Sequence, residues 1–310
     1  MRSKAKYILV LAILCLTALV AQTGSQYKFT QAGNFPGAYY TTPLGVSVTH
    51  IVGWYATSGA NNAYIQTGAS FINAAPPGSI TSYLTAINRG GVAVGGYCPK
   101  GCNLEAGAHG YTYDLKSGKI RNVDFPLTGA ATTAYGVNDA GVIVGGYCPN
   151  ALSCPQGPFG PALDGFIDTN GVFTTLNYPG AYATSALAIN NAGTVVGEYD
   201  IGFTGPHAFL YQSGMFTNID YPGSNFTIAS GINNLGVVAG YFSNSTGPHG
   251  FTYSNGTFTQ IDRPNSPNGT AVNGINDRND LVGVWYPSVG FGQTFKAAPT
   301  TGPTDPPVAP

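Results

Sequence analysis

Short apolar runs flanking a polar turn recur along the chain. The clearest is Gly231-Ile-Asn-Asn-Leu-Gly-Val-Val-Ala-Gly-Tyr241, which reads as a β-hairpin. The same spacing appears from Ile87 to Tyr97, Val137 to Tyr147, Ile189 to Tyr199 and Ile275 to Trp285, and one residue short from Gly45 to Trp54. The turn residues explain it. Asn88, Asn138, Asn190, Asn233 and Asn276 open the turns, where an Asn side chain bonds its own backbone further on. Each is followed by Gly91, Gly141, Gly193 or Gly236, or in the last copy by Asn279. A three-residue loop requires a left-handed residue at that point; Gly adopts it without strain, and Asn is next best.

A second hairpin follows the first, as in Ala63 to Ile72 around Thr67-Gly68. The predicted repeat is therefore four strands, A to D. After a first copy it runs from Thr81 to Phe125, Thr132 to Tyr178, Thr184 to Tyr221 and Thr227 to Arg263. The sixth copy has strands A and B between Ala271 and Trp285 and strand C at 291–296, but no D. A lone strand at 27–33 matches the D strands Phe216 to Asp220 and Phe258 to Asp262. Pairing 27–33 with 291–296 completes the sixth copy. The expected fold is all-β: a six-bladed β-propeller of four-stranded blades, closed by strands from both termini and free of long exposed edges.

The ends read differently. Arg2, Lys4 and Lys6 precede an apolar run from Tyr7 to Val20, the pattern of a secretory signal peptide over 1–21. A short linker, 22–26, leads into the propeller at 27–296, and a Pro/Thr-rich tail, 297–310, is expected to be disordered. Export makes the remaining cysteines candidates for disulfides. Cys98 and Cys148 each follow a hairpin tyrosine, and the simplest pairing closes two local loops, Cys98–Cys102 and Cys148–Cys154. Four cysteines allow three pairings, and the sequence does not choose among them. A four-Cys zinc site is a further alternative, disfavoured by the spacings and by export.

Composition narrows the function. Only 8% of the 310 residues are charged and the net charge is −1, which excludes an electrostatic case for nucleic acid or an anionic membrane surface. Gly (44), Tyr (20) and Phe (16) are abundant, as suits a chain of strands and turns.

The phrases His207-Ala-Phe-Leu-Tyr211, Phe216-Thr-Asn-Ile-Asp220, Pro222-Gly223 and Gly231-Ile-Asn233 resemble the HAF repeats of extracellular bacterial proteins. The resemblance covers most of 27–296 and is strongest in copies two, four and five. It implies an exported, β-propeller-like repeat protein and brings no catalytic residues.

His109, His207 and His249 each open strand C, where other copies hold Asn62, Asp164 and Gln293. Such variety indicates a structural polar position, bonding a neighbouring blade, rather than a metal site. Asp124, Asp220 and Asp262 end strand D in one register and are likewise structural. Glu198 and Asp200 have no counterpart in the repeat, but a glycosidase-like site needs two carboxylates on one cleft, and nothing marks a partner. There is no nucleophile elbow, phosphate-binding loop or zinc-protease signature.

In a propeller the B–C and D–A connections share one face, and here they are the variable ones. Tyr39, Tyr40, Tyr182 and Phe226 lie in D–A connections, where exposed aromatics stack on sugar rings or anchor a protein. The resulting expectation is a secreted or cell-surface, monomeric, non-catalytic binding or scaffold module for carbohydrate or protein, without cofactor or metal. The alternatives are a polysaccharide hydrolase or lyase, by fold-level analogy, and a purely structural surface-layer component.

Overall fold

The Asn turns and the strand glycines set the architecture. The computed structural model describes residues 26–102, 108–150, 156–157, 160–161, 163–202, 205–290 and 292–300, and among them there are strands and turns but no helix. It follows that no helix of the described residues is long and apolar enough to cross a membrane.

Strand β1 (Tyr27–Thr30) comes first. Repeat one comprises β2 (Tyr40–Val46), β3 (His50–Ala56), β4 (Asn61–Thr67) and β5 (Ser70–Asn73). Repeat two comprises β6 (Ser79–Ile87), β7 (Val92–Pro99), β8 (His109–Asp114) and β9 (Ile120–Val123). In repeat three, β10 (Ala131–Val137) and β11 (Ile143–Cys148) are followed by a small pair, β12 (Gln156–Gly157) and β13 (Gly160–Pro161), then by β14 (Asp164–Thr169) and β15 (Val172–Thr175). Repeat four is β16 (Ala183–Ile189), β17 (Val195–Asp200), β18 (His207–Gln212) and β19 (Met215–Asn218). Repeat five is β20 (Phe226–Ile232), β21 (Val238–Asn244), β22 (Gly247–Ser254) and β23 (Thr257–Ile261). Repeat six is β24 (Thr270–Ile275), β25 (Leu281–Trp285) and β26 (Gln293–Pro299).

Each repeat is an antiparallel meander, and one parallel bridge, Asn61 to Thr81, links repeats one and two. Repeat six gains its fourth strand from the start of the chain: the order is β24-β25-β26-β1, with Tyr27 opposite Pro299 and Thr30 opposite Lys296. Strand β26 therefore runs past Lys296 to Pro299, into the segment expected as a disordered tail, because β1 supplies partners there. The Thr300 amide then donates to Gln26 O at 2.8 Å. The predicted signal peptide and the rest of the tail lie outside the described residues.

The core lies between consecutive sheets. Val94 and Val123 of repeat two pack with Ala134 and Phe166 of repeat three, and Val196 of repeat four packs with Ala229 and Phe251 of repeat five. Val282 of repeat six packs with Val46, Ile51 and Tyr64 of repeat one. Burial of this apolar surface is the main stabilising term.

The turns form a second connection between repeats. The backbone takes positive φ at Gly91, Gly141, Gly193 and Gly236, and Asn279 does the same at φ 59°. The turn Asn side chain uses both ends. Its Oδ1 accepts from its own loop, as Val92 N to Asn88 at 3.0 Å. Its Nδ2 donates to the turn of the next repeat: Asn88 to Asn138 O (3.0 Å), Asn138 to Asn190 O (3.3 Å), Asn190 to Asn233 O (3.2 Å), Asn233 to Asn276 O (2.9 Å) and Asn276 to Ser47 O (3.1 Å). Beside this ladder, the Arg89 guanidinium hydrogen-bonds Asp277 of repeat six, spanning the shorter turn of repeat one.

One register differs from the sequence reading. The Asn-to-aromatic spacing of the other repeats is met in repeat five by Phe242, not by Tyr241. Phe242 stacks on Tyr221 at 3.6 Å between centroids, as Tyr199 stacks on Tyr178 and Tyr147 on Phe125. Both residues are aromatic, so composition could not separate them; the strand glycine does. Gly240 of β21 pairs with Ala229, and a Cβ there would lie 2.0 Å from Ile228 O. Gly197 occupies the matching place in repeat four, with Ser185 O at the same distance. Tyr241 is thus the counterpart of Glu198.

The strand C aromatic covers this glycine from the neighbouring strand: Phe166, Phe209, Phe251 and Phe295, with Tyr111 and Tyr64 in the early repeats. The Tyr111 hydroxyl donates to Ala74 O at 3.3 Å, whereas the buried Tyr64 hydroxyl has no partner among the described residues. An unpaired buried hydroxyl costs on the order of 1–3 kcal/mol. Tyr64→Phe is therefore expected to raise stability by about 1 kcal/mol, read as a higher denaturation midpoint with an unchanged m-value. A destabilised variant would mean that the hydroxyl does find a partner.

Cys98 and Cys102 form a disulfide with their Cα atoms 5.7 Å apart. Cys148 is also disulfide-bonded, and Cys154, its expected partner, lies outside the described residues. Mass spectrometry of unreduced peptides should yield Cys98–Cys102 and Cys148–Cys154 links. A Cys98–Cys148 link or free thiols would overturn the local pairing.

Candidate functional site: the central cavity

The first strand of each repeat carries a β-bulge, and a bulge re-aims its extra residue away from the ladder. The register shifts fall at Leu44, Thr85, Tyr135, Leu187, Ser230 and Asn273. All six line one cavity of about 560 Å³. Three of them also tie repeats together by donating to the carbonyl just before the next bulge: Thr85 Oγ1 to Ala134 O (3.1 Å), Ser230 Oγ to Val272 O (2.8 Å) and Asn273 Nδ2 to Pro43 O (2.9 Å).

The cavity is chemically lopsided. After the strand glycine, repeats two and three have Gly96 and Gly146, while repeats four and five project Glu198 and Tyr241 into the cavity. Asp200 lies two positions beyond Glu198 on β17, hence on the same strand face, and also lines the cavity. Its Oδ1 accepts from Gly202 N at 3.1 Å. Tyr135, Tyr182, Tyr199 and Phe226 add aromatic wall, and no Lys, Arg or His is among the described lining residues.

Glu198 is the electrostatic centre. Desolvation, with a smaller contribution from the Asp200 charge, pushes its carboxyl up to about 7. No described residue donates a hydrogen bond to this carboxylate. Burial chiefly, and the Glu198 charge in addition, raise the tyrosines Tyr135 and Tyr241, which stay neutral hydroxyls. Near neutrality Glu198 exists in both forms, able to accept or donate a hydrogen bond.

Of the aromatics singled out from the sequence, Tyr182 and Phe226 line the cavity. Tyr39 and Tyr40 do not: Tyr39 is 73% exposed, and Tyr40 packs edge-on against Trp54 at 5.2 Å. Glu198 and Asp200, acids without a repeat role, both line the cavity from one face of β17. The bulge residues themselves carry no such signal, because five residue types, with leucine alone used twice, share one backbone position.

The strand C histidines pair with an Asp of their own sheet, which corrects the expectation of a bond to a neighbouring blade. His109 Nδ1 lies 3.1 Å from Asp124, His207 Nδ1 2.6 Å from Asp220 and His249 Nδ1 3.0 Å from Asp262. The cause is register: strand C's first residue faces the end of strand D across the hairpin. Thr246 Oγ1 also lies 2.7 Å from His249 Nε2, outlining a hydroxyl–His–Asp row beside a smaller pocket. That hydroxyl equally meets Asn244 Oδ1 at 2.6 Å, within the β21–β22 turn, so the row belongs to the scaffold. No cluster of three or more His, Cys, Asp or Glu suited to a metal occurs among the described residues.

No protein-family model and no curated protein matches the chain. Solved structures do. The β-propeller domain of the Trilobed protease from Pyrococcus furiosus is 10% identical, with 85% of this chain and 94% of that one covered and a TM-score of 0.50. The Aleuria aurantia lectin, solved with Fucα1-6GlcNAc, is 12% identical, with 86% and 94% covered and a TM-score of 0.50. TolB from Acinetobacter baumannii is 11% identical over 82% of this chain and 64% of its own, with a TM-score of 0.52. At such identities the likeness establishes the fold, a β-propeller, and no activity.

Proposed function

We propose that the six repeats close into a six-bladed propeller and that the protein is an exported, non-catalytic binding module taking a glycan into its central cavity. Closure is supported by the core cluster joining repeats six and one, by the Asn276 bond to Ser47 and by the β1–β26 pairing. Export rests on the N-terminal pattern and the HAF-repeat resemblance. The observation that carries the binding reading is the cavity: concave, about 560 Å³, walled by Tyr182, Phe226, Tyr241 and Tyr135, with polar groups converging from several repeats. Aromatic faces with a few placed acceptors suit a sugar ring better than a flat protein surface. A lectin among the fold's neighbours is consistent with this.

The test is binding of the purified protein to a glycan array, repeated with variants. Tyr182→Ala and Phe226→Ala are each expected to weaken the best interaction about tenfold, the effect of losing one stacked ring. Tyr39→Ala, outside the cavity, should leave it unchanged. If Tyr182→Ala and Phe226→Ala bind like the parent, the cavity is not the site.

A second reading, a polysaccharide hydrolase, is favoured by one observation: Glu198 and Asp200 line the same cavity in unlike environments, as paired acid and base residues do. Release of reducing ends from the bound glycan, abolished by Glu198→Gln, would replace the binding reading with this one.

A further inference from the structure

We propose that the central cavity recognises a protonated amine, so that its ligand, on the glycan reading above, is a sugar with free amino groups. Glu198 is the counter-charge, and Tyr182, Tyr241 and Phe226 form the walls around the cation.

The argument is one of compensation. Among the described residues, the cavity lining has two carboxylates and no basic side chain. Glu198 receives no hydrogen bond from any described residue. Asp200 is partly satisfied by the Gly202 amide, so Glu198 is the carboxylate left without a partner. A charge withdrawn from bulk water without a partner is costly, and a complementary ion removes that cost. A neutral sugar would stack on the same rings and leave the charge uncompensated. Aromatic faces add to the preference, since an ammonium group is attracted to the ring quadrupole, more so when desolvated. Position agrees as well: Glu198 and Tyr241 occupy equivalent places in adjacent repeats and both enter the cavity, next to the Tyr182 and Phe226 side. The residues that supply these contacts are specific to repeats four and five. In repeats two and three glycine stands at the matching place, with Tyr83 packed over Gly96 and Leu163 over Gly146, so those repeats offer no counterpart to Glu198 or Tyr241.

Calorimetric titration distinguishes the possibilities with three probes: a glucosamine trisaccharide, its fully N-acetylated form and a neutral glucose trisaccharide. The amine form is expected to bind at least about tenfold more tightly than either other form, a difference within the range of one desolvated cation contact. Glu198→Gln should remove that preference, bringing the amine form down to the affinity of the acetylated form. Thermal melting of the variant confirms that it is folded. Equal binding of amine and acetylated forms, lost together in Tyr182→Ala, would overturn the amine inference and leave the glycan reading intact. Absence of binding by all three probes would overturn both. Amine preference that survives Glu198→Gln would also overturn the inference, because the counter-charge would lie elsewhere.

Discussion

Deleting residues 27–33 should lower the melting temperature of the whole domain by roughly 10–20 °C. The segment supplies β1, which covers β26 along Tyr27 to Thr30. Tyr27 is buried, and Phe29 packs edge-on against the fully buried Phe295 at 5.3 Å. Losing the buried Tyr27 and the half-buried Phe29 costs about 5 kcal/mol. At about 2–4 °C per kcal/mol for a domain of this size, the shift follows. The deletion also bares the β26 edge, so the variant should aggregate at concentrations where the parent does not. A matched control removes residues 301–310. The cut stops there because the Thr300 amide is held by Gln26 O, and the control should melt like the full chain. A deletion variant with an unchanged melting temperature would show that the N-terminal strand does not complete repeat six in solution, and the closed propeller would fall with it.

How much of this was legible beforehand depends on which atoms carry the information. Turn chemistry is local, so the positive φ at Gly236, and at Asn279 as its substitute, was readable from a few neighbouring residues. Strand pairing at the termini was readable by counting, since repeat six lacked a strand and the N-terminus held a spare one. The Asn ladder was half readable: an Asn opening a turn announces its own loop, but the carbonyl that its Nδ2 reaches is in the next repeat, and backbone acceptors have no sequence signature. The His–Asp pairs failed for a related reason. Their registers were recognised separately, but only the hairpin offset brings His207 and Asp220 together. The cavity was the least legible. It is built from bulge residues as unlike as Leu44, Tyr135 and Asn273, united by backbone position alone. The shift from Tyr241 to Phe242 shows the same limit, where the clash a Cβ at Gly240 would make decides the alignment.

Glu198 should make stability depend on pH in the direction opposite to most carboxylates. Its folded value is pushed up to about 7 from an ordinary 4.5, by desolvation first and by Asp200 second. Between those values the folded state holds a proton that the unfolded state has released, so stability falls as pH rises through that window and is flat on either side. The separation is worth at most about 3 kcal/mol, and solvent reaching the cavity screens part of it, leaving on the order of 2 kcal/mol. The groups facing Glu198 are Asp200, Tyr135 and Tyr241, and both tyrosines stay neutral across the window. Glu198→Gln removes the titration and keeps the shape. The variant should match the parent at about pH 4 and exceed it by on the order of 2 kcal/mol at about pH 8, or roughly 4–8 °C in Tm. Taking the difference between the two proteins cancels the titrating groups that do not face Glu198. A difference independent of pH would mean that Glu198 is well solvated, and the uncompensated charge on which amine recognition rests would not exist. A bound amine should weaken the trend: by favouring the ionised carboxylate it draws the folded value downward, so the parent, titrated with the glucosamine trisaccharide, should lose less stability above neutrality than it does alone.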